Sequence, residues 1–445
     1  MTNNIVKKKN TIIFVICILL CLILLSVKSG FYKNVLFHEQ KKITIGVFSD
    51  SYWEVQNGYS YKIINDAIKI FEEQNPNVEV EYVSGVLKAD YSEWLAEQIL
   101  MEKTPDVFFI KGEDFNNFAE SGILKELSSL INKDNSFNEN AFYSAPFEYG
   151  KYDGKQYALP YECAPKLMFV NKTILDNEGI DMPNNDWTWE DFYKICLSVT
   201  KDTNLDGTID QFGAVGYTWQ EAAESNNVIL FNDSGIECYF DSSELEEVIT
   251  FIDKFEDITS MYNVTERDFD LGNVVFKPML FSEFRAYKSY PLSVKKYSGF
   301  EWGCMPMPAG PQGSNISTLD TLLVGMSADT SNTKYAWDFI KILTYNADIQ
   351  SEIFEYSEGV SVLKEVTKSD DTLYKIMNNS GINENMNLSI LSDVVENAVV
   401  SPRFTGYQEA NDKVGQAITE IINSNGNLRM EQIIWNREIN KYLKQ

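Results

Sequence analysis

The spacing of apolar and polar residues changes several times along the first part of the chain. Residues 43–47 alternate with a period of two, which predicts a strand, whereas residues 64–71 carry apolar side chains at helical spacing. Residues 78–82 alternate again, Ser92–Glu102 has the pattern of a helix, and Val107–Ile110 is an apolar run typical of a buried strand. This order predicts an α/β sheet with helices on its faces. Because ligands of such sheets bind beyond the carboxyl ends of the strands, the loops after the first and third strands are candidate binding loops.

A helix start is predicted around Thr188, further along the chain. The Thr188 side chain is placed to cap the main-chain N–H of Asp191, and Asp191 supplies the acidic half of a capping box. Trp187 and Phe192 are spaced as a hydrophobic staple around this start. The motif therefore has a structural explanation and is not counted as a binding site.

The amino terminus has the pattern of an export signal. Lys7–Lys9 precede the uncharged run Thr11–Val27, and positive charge stays on the cytoplasmic side, so the rest of the chain is expected outside the cell. Residues 1–30 are either a signal peptide cleaved after Ser29 or an uncleaved signal-anchor helix, and residues 31–42 are a polar tether. Both alternatives place the working domain at the extracellular face of the membrane, anchored there or secreted.

Length and charge narrow the class of protein. A chain of 445 residues with 44% hydrophobic content exceeds one ordinary domain and predicts two lobes, each with its own core. The formal net charge of −27 repels phosphate backbones and so argues against nucleic-acid binding.

Histidine and cysteine usage removes several catalytic classes. The sequence has one histidine, His38, which argues against Ser-His-Asp, Cys-His and His-metal sites. Cys163, Cys196, Cys238 and Cys304 are far apart and form neither a C-x-x-C motif nor a zinc spacing. They are expected to be small buried thiols, and their disulfide state stays open at this point.

A set of motifs resembles the family 1 extracellular solute-binding proteins, the sugar-binding proteins of ABC transporters of the maltose-binding-protein type. Each motif is weak alone, but their order and spacing extend over nearly everything after residue 42. The matching segments are Asp106–Ile110 through Glu120–Leu124, Asp153–Pro160, Phe169–Lys172, Trp187–Phe192, Pro278–Met279, Pro306–Gly313 and Ala336–Leu343.

The resemblance implies two α/β lobes joined by crossing strands, with the ligand in the cleft between them: the two-lobed periplasmic-binding-protein-like fold, type II. The first crossing is then expected near Tyr161–Pro165 and the second near Asn315–Leu322. It also implies a monomer that captures a carbohydrate, most simply an oligosaccharide, by hinge closure and delivers it to ABC permease subunits. The implied lobes are residues 43–160 with about 320–375, and about 165–315 with 376–445.

Candidate ligand-binding residues lie in the predicted loops. Sugar sites combine aromatic rings, which cover apolar C–H faces, with polar groups that bind hydroxyls. Asp50 and Trp53 follow the first strand, Glu113 and Asp114 follow the third, and Trp219 lies in a polar loop. The resemblance places a sugar-binding acid at Glu113. A solvated loop acid or a core tryptophan is the alternative at each position.

Further candidates come from the crossing and from a departure from the family pattern. Tyr161 and Glu162 lie at the expected hinge, and Tyr407 lies in the last segment. Glu283 and Arg285 stand where the family often has Gly and a sugar-stacking Trp, which argues against a simple maltose-like ligand. An internal ion pair between Glu283 and Arg285 is the favoured interpretation of these two.

One acidic loop resembles the front of a calcium-binding loop. Asp202, Asn204, Asp206 and Asp210 have the spacing of calcium ligands, but Gly213 stands where the bidentate Glu is needed. An Asx-rich turn is the favoured interpretation, and a bound calcium ion is the alternative.

Two other functional classes stay open. A secreted glycosidase needs two carboxylates, but no catalytic motif accompanies the many acids of this chain. A ligand-sensing subunit that signals through a membrane receptor is compatible with an uncleaved anchor. The expectation is therefore a binding protein that is not an enzyme.

Overall fold

The computed structural model describes most of the chain after residue 40. The predicted signal or anchor over residues 1–30 lies outside the described residues except for Ile16. No helix within the described part of the chain is long and apolar enough to cross a membrane. The structure describes Ile16 and residues 41–53, 59, 61–232, 234–259, 262–283, 285, 300–370, 372, 389–400, 402–424 and 426–444.

The strands form one mixed sheet and a small separate hairpin. In the large sheet the order is β2-β1-β3-β10-β6-β8-β7, with β9 and β11 also paired to β6, while β4 pairs with β5. The strands are β1 (Lys41–Gly46), β2 (Val78–Tyr82), β3 (Val107–Ile110), β4 (Lys151–Tyr152), β5 (Lys155–Gln156), β6 (Ala158–Asn171), β7 (Phe212–Ala214), β8 (Val274–Leu280), β9 (Trp302–Met305), β10 (Leu319–Met326) and β11 (Val360–Ser361).

Helices alternate with these strands along the chain. Those of the first half are Lys62–Gln74, Lys88–Leu100, Gly112–Glu120, Ser128–Lys133, Ser144–Tyr149, Lys172–Glu178, Trp189–Val199 and Trp219–Ser225. Those of the second half are Ser243–Thr259, Glu266–Asp270, Thr333–Tyr345, Ala347–Tyr356, Lys364–Thr367, Ser389–Asn397, Tyr407–Ile422 and Leu428–Tyr442. A short 3₁₀ helix spans Glu139–Ala141.

The first three strands and the two helices between them confirm the sequence prediction. β1 pairs in parallel with β2 and with β3, so the carboxyl ends of β1 and β3 lie at the same edge. The helix Lys62–Gln74 buries Ile63, Ile64, Ala67 and Phe71 on one face, the stripe that its spacing predicts. β1 begins at Lys41, so the last two residues of the predicted tether belong to the sheet.

The long strand β6 joins the two halves of the molecule. Its first part pairs with β10, from Ala158 to Pro165, and its second part pairs with β8 and β9, from Lys166 to Asn171. Nearly every residue of β6 is buried, as expected for a strand covered on both faces. The crossing falls at Pro165, within the region where the sequence places it.

Two apolar cores lie on either side of this crossing. The first gathers side chains from β1, β3 and β10. The second gathers side chains around the helices Trp189–Val199, Ser243–Thr259 and Tyr407–Ile422. The molecule therefore has two lobes that share β6.

The carboxyl-terminal part of the chain is divided between the lobes, which corrects the predicted boundary. The sequence assigns residues 376–445 to the second lobe, but Leu391 and Val395 of the helix Ser389–Asn397 are buried in the first core. The Tyr143 hydroxyl also donates to Ser392 Oγ at 2.9 Å. The chain enters the second lobe only after this helix, so the lobes have a third connection before Tyr407.

Local details of the second lobe follow the sequence. Thr188 and Asp191 form the predicted capping box at the start of the helix Trp189–Val199. The rings of Trp187 and Phe192 pack edge to face, with centroids 5.7 Å apart.

The four cysteines whose disulfide state the sequence leaves open are all free and buried: Cys163, Cys196, Cys238 and Cys304.

Candidate functional site

The loops after β1 and β3 meet at one edge of the sheet. Tyr52 and Trp53 follow β1 and are buried, with ring centroids 4.7 Å apart. Gly112 begins the helix after β3, and its N–H lies 3.5 Å from the Tyr52 hydroxyl oxygen. A Cβ atom at Gly112 would lie 2.4 Å from the Tyr149 hydroxyl oxygen, so this close approach requires glycine. The edge thus brings three separate segments together.

Asp320 lies at the centre of this edge. Its Oδ1 accepts hydrogen bonds from the hydroxyl groups of Tyr52 at 3.3 Å and Tyr149 at 3.4 Å, and from the Thr321 N–H at 2.7 Å. Burial raises the pKa of the Asp320 carboxyl, while these bonds and the Lys88 charge oppose the shift. The Lys88 ammonium lies 4.8 Å from the centre of the Tyr52 ring. A negatively charged group is therefore held in place by two tyrosines and faced by a cation.

Arg403 contacts the other side of the same tyrosine. Its guanidinium carbon lies 3.9 Å from the centre of the Tyr149 ring and 4.9 Å from that of Phe115. Nη1 donates to the Tyr149 carbonyl oxygen at 2.5 Å. Burial lowers the pKa of the Arg403 guanidinium, but it stays charged at neutral pH.

The segment that carries Arg403 contacts both lobes. The Thr405 hydroxyl donates to Asn117 Oδ1 of the first lobe at 2.7 Å. Between them Phe404 packs into the second lobe, with its ring centre 5.3 Å from that of Phe231 and 5.5 Å from that of Tyr407. Tyr407 therefore packs against second-lobe rings, and its predicted contact with a ligand stays a prediction.

Glu162 forms a second buried polar cluster on the crossing strand. Its Oε2 accepts a hydrogen bond from the Ser357 hydroxyl, and Ser51 Oγ donates to the nearby Glu358 at 2.9 Å. Burial raises the pKa of Glu162 to about 7, opposed by the Ser357 bond, the Trp53 indole and Arg285. The Trp53 N–H is buried without a hydrogen bond of good geometry among the described residues.

Arg285 is held by main-chain carbonyls and not by Glu283. Its guanidinium donates to the carbonyl oxygens of Phe354 at 2.8 Å and Gly359 at 2.6 Å, and burial lowers its pKa to about 10. A basic group at this position caps the end of the helix Ala347–Tyr356. Glu283 is exposed, so the ion pair favoured by the sequence is not what fixes Arg285.

A small cavity of about 40 Å³ lies between the two clusters. It is lined by side chains that include Ser51, Tyr161, Glu162 and Ser357. At roughly 10–15 Å³ per water it has room for a few water molecules, but not for a sugar ring. The residues that line it belong to the first lobe, so this cavity is not the cleft between the lobes.

A larger depression of about 430 Å³ lies elsewhere on the first lobe. Asn75, Lys341 and Tyr345 are among the residues that line it. Asn75 precedes β2, so this depression is at the amino edge of the parallel strands, away from the loops where ligands of such sheets bind.

The second lobe contributes charged groups beside the crossing. Lys166 Nζ lies 2.9 Å from Glu221 Oε1, and the neighbouring Glu224 accepts a hydrogen bond from the Thr318 hydroxyl at 3.0 Å. Burial alone would lower the pKa of Lys166, but the charges of Glu224 and Glu221 outweigh burial and raise it. Trp219 begins the helix that carries these acids and is half-buried, packed beside Gly415. Its predicted contact with a ligand stays a prediction.

Three predicted acids at the first-lobe edge have local partners. Asp50 Oδ1 accepts from the Lys88 N–H at 2.6 Å and so caps the helix Lys88–Leu100. Asp114 Oδ2 accepts from the Ser92 hydroxyl at 2.5 Å, and burial raises the pKa of its carboxyl. Glu113 is exposed and lies 2.6 Å from Lys111 Nζ. Glu113 is thus the most accessible of the three to a ligand.

The acidic loop of the second lobe is organised by its own main chain. Asp202 accepts hydrogen bonds from the N–H groups of Leu205 and Gly207 at 2.8 and 2.7 Å, and Asp210 accepts from Thr203 at 2.8 Å. Asn204 and Asp206 accept in the same way from N–H groups two residues further on. Within the described part of the chain, no group of three or more His, Cys, Asp or Glu side chains is arranged to hold a metal ion.

The sequence match decides the family. Residues 66–376, well over half of the chain, match the family of bacterial extracellular solute-binding proteins. The chain belongs to this family. The resemblance inferred from the motifs is confirmed, and two lobes joined by a crossing strand are the architecture that it implies.

Individual solute-binding proteins support the same assignment. The maltotriose-binding protein of Pyrococcus abyssi is 23% identical over 314 residues, which is 67% of this chain and 64% of that protein. The match to another curated relative covers 36% of that protein. The chain therefore spans less than two thirds of the length of the curated relatives it matches.

Solved structures match the fold along nearly the whole chain. The sugar-binding protein MalE of Xanthomonas citri has a TM-score of 0.71 at 13% identity, over 91% of this chain and 98% of that one. The ABC substrate-binding protein of Listeria monocytogenes in complex with cycloalternan has a TM-score of 0.65 at 20% identity, over 91% and 100%. The predicted two-lobed α/β fold is confirmed.

Several residues at the cleft were not singled out from the sequence. Asp320 is the one charged residue in strand β10, whose other residues except Thr321 are apolar, a signal that would have drawn attention to it. Tyr52 adjoins the predicted Trp53 and could have been found with it. Tyr149 and Arg403 carry no such signal, because only the folded chain brings them to the edge.

Proposed function

We propose that this solute-binding protein is the substrate-binding component of an ABC importer. It captures a carbohydrate between its lobes by hinge closure and delivers it to permease subunits in the membrane. The family match and the relatives that carry the ABC transporter name support this role. The observation that carries it is the edge where Asp320, Tyr52 and Tyr149 of the first lobe meet Arg403 from the connection to the second lobe.

An oligosaccharide is the proposed class of ligand. A relative is described as binding maltotriose, and solved relatives are described with cycloalternan and maltotetraose. Buried tyrosines, an arginine and acids at the junction of the lobes are the combination that sugar hydroxyls and C–H faces require. Since Arg285 stands at a position where the family often has a stacking ring, we expect a ligand other than maltose.

The setting that we propose follows the export signal. The protein works as a monomer at the extracellular face, held by residues 1–30 or released after cleavage. It binds its ligand without chemical turnover, a role supported by the match to a family of solute-binding proteins.

A thermal-shift screen of the full chain tests this proposal. The panel should contain maltotriose, maltotetraose, single sugars, amino sugars and polyamines. A ligand of the native state must raise the melting temperature, so we expect a concentration-dependent rise with an oligosaccharide. A rise with polyamines alone would contradict the carbohydrate assignment, and recovery of shortened sugars would contradict binding without turnover.

A further inference from the structure

The helix Leu428–Tyr442 is oriented on the second lobe by a row of polar side chains. Asn436 Oδ1 accepts a hydrogen bond from the Phe240 N–H at 3.1 Å, and Asn440 Nδ2 donates to the Cys238 carbonyl oxygen at 2.8 Å. Side chains four residues apart share one face of a helix. This face is therefore fixed against the lobe, and the opposite face is turned to solvent.

The outward face carries a basic stripe, which consists of Met430, Ile434, Arg437, Lys441 and Lys444. The first four lie on the helix, and the fifth lies in the turn that follows it. Their spacing alternates between four and three residues, which aligns them along one narrow face about 21 Å long. All five are exposed, Met430 by 59% and Ile434 by 55%. The stripe thus combines two apolar side chains in contact with solvent and three positive charges.

The positive charges of the stripe have no local partner. Arg437, Lys441 and Lys444 form no ion pair and no side-chain hydrogen bond with any residue that the structure describes. Elsewhere in the second lobe an exposed lysine does pair, since Lys194 Nζ lies 3.3 Å from Glu190 Oε1. In a chain with a formal net charge of −27, three unpaired positive charges on one face favour an anionic partner.

The size of the stripe favours a lipid surface over a protein partner. A stable protein interface takes about 20–30 residues on each side, whereas the stripe has five. A lipid surface supplies phosphates for the basic groups and an apolar layer for the other two, and such a contact suffices when a second anchor holds the protein nearby. The sequence predicts that anchor at residues 1–30, and residues 31–40 between it and β1 reach at most about 35 Å.

We propose that the basic stripe binds the anionic phospholipid surface of the membrane at which the protein works. Met430 and Ile434 enter the boundary between headgroups and acyl chains, while Arg437, Lys441 and Lys444 bind lipid phosphates. The contact holds the second lobe beside the membrane, in addition to the connection of the first lobe through β1. It is separate from ligand capture and does not depend on which ligand is bound.

Lysine acetylation of the full chain in lipid vesicles, measured at each lysine by mass spectrometry, tests the proposal. One vesicle preparation is phosphatidylcholine alone, and the other is an equal mixture with phosphatidylglycerol. We expect Lys441 and Lys444 to react about threefold or more slowly in the anionic vesicles. Lys194, exposed on another helix of the same lobe, should react at the same rate in both. Salt at about 0.5 M should remove the difference, because it screens the attraction.

Charge reversal provides a matched pair of variants. Arg437→Glu should raise the reaction rate of Lys441 in anionic vesicles toward its rate in neutral ones. Lys194→Glu makes the same change in net charge and should leave Lys441 as slow as in the wild type. Both positions are exposed, so neither substitution should change stability much.

Three results would overturn the proposal. The first is an equal reaction rate of Lys441 and Lys444 in the two kinds of vesicle. The second is equal protection of Lys441 in Arg437→Glu and in the wild type. The third is protection in native membranes that is missing in vesicles of pure lipid, which would show that the stripe binds a membrane protein instead.

Discussion

Glu162 and Asp320 are buried acids whose surroundings differ. Asp320 is faced by Lys88 and Arg403, whereas Glu162 is faced by Glu358 as well as by Arg285. Burial is the largest influence on the pKa of both carboxyl groups, and it raises both. The pKa of Glu162 reaches about 7, so this group takes up a proton within the physiological range.

The first prediction concerns the pH dependence that Glu162 imposes. Its pKa rises from the ordinary glutamate value of 4.5 to about 7 in the folded protein, so the native state binds the proton more tightly. Its stabilising contribution is present below the unfolded pKa and is lost as pH rises through the folded pKa. Between about pH 5 and about pH 8, the free energy of unfolding should fall less in Glu162→Gln than in the wild type, by on the order of 3 kcal/mol.

Urea unfolding at both pH values measures this difference. Asp134→Asn serves as the control, because hydrogen bonds from Lys341, Ser136 and Trp337 outweigh its burial and lower the pKa of Asp134. The contribution of Asp134 to stability is lost only in acid. The free energy of unfolding of Asp134→Asn should therefore change with pH between about pH 5 and about pH 8 as it does in the wild type. Identical slopes in Glu162→Gln and the wild type would show that Glu162 is not protonated in the folded state.

Single residues were predictable from the sequence when their role is local. Glu162 was placed at the hinge because the crossing motif fixes its position in the strand. Arg285 was singled out as a departure from the family, but its partners, the carbonyls of Phe354 and Gly359, lie far along the chain. Arg403 was missed because its contact with Tyr149 depends on the packing of two lobes.

At the scale of elements, short-range patterns were the reliable ones. The strands before residue 111 and the capping box at Thr188 follow from spacing within a few residues, and both are confirmed. The helix Ser389–Asn397 was assigned to the wrong lobe because nothing in its own sequence says which core its apolar face enters. Tertiary contacts decide that choice.

The second prediction concerns the cap of the helix Trp189–Val199. Thr188→Ala removes the hydroxyl that accepts the Asp191 N–H and should lower the free energy of unfolding by about 1 kcal/mol. Ser198→Ala is the control on the same helix, since Ser198 is exposed and bonds only a carbonyl within the helix. Equal unfolding free energies for the two variants would show that the capping box adds nothing to stability.

The third prediction concerns the loop from Asp202 to Asp210. Because the loop's own N–H groups already occupy its carboxylates, chelation of calcium by EDTA should leave the melting temperature of the full chain unchanged. A fall in melting temperature that added calcium reverses, and that Asp202→Asn abolishes, would instead establish a calcium ion bound in this loop.

At the scale of the whole molecule, the sheet explains how two lobes can move as units. One long strand, β6, and the chain segments before β10 and before Tyr407 join the lobes, while each lobe keeps its own core. The resemblance to solute-binding proteins predicted the lobes and the first crossing. The sheet order and the third connection could not be predicted, because they depend on pairings between segments far apart in sequence.

Hydrogen–deuterium exchange of the full chain with and without maltotriose tests the central claim, capture of a sugar between the lobes. We expect the sugar to slow exchange in peptides from both lobes: residues 47–53 and 111–114 of the first, and 217–221 and 402–407 at the second. Protection confined to one lobe, or found only at the amino edge around Asn75 and Tyr345, would contradict binding in the cleft.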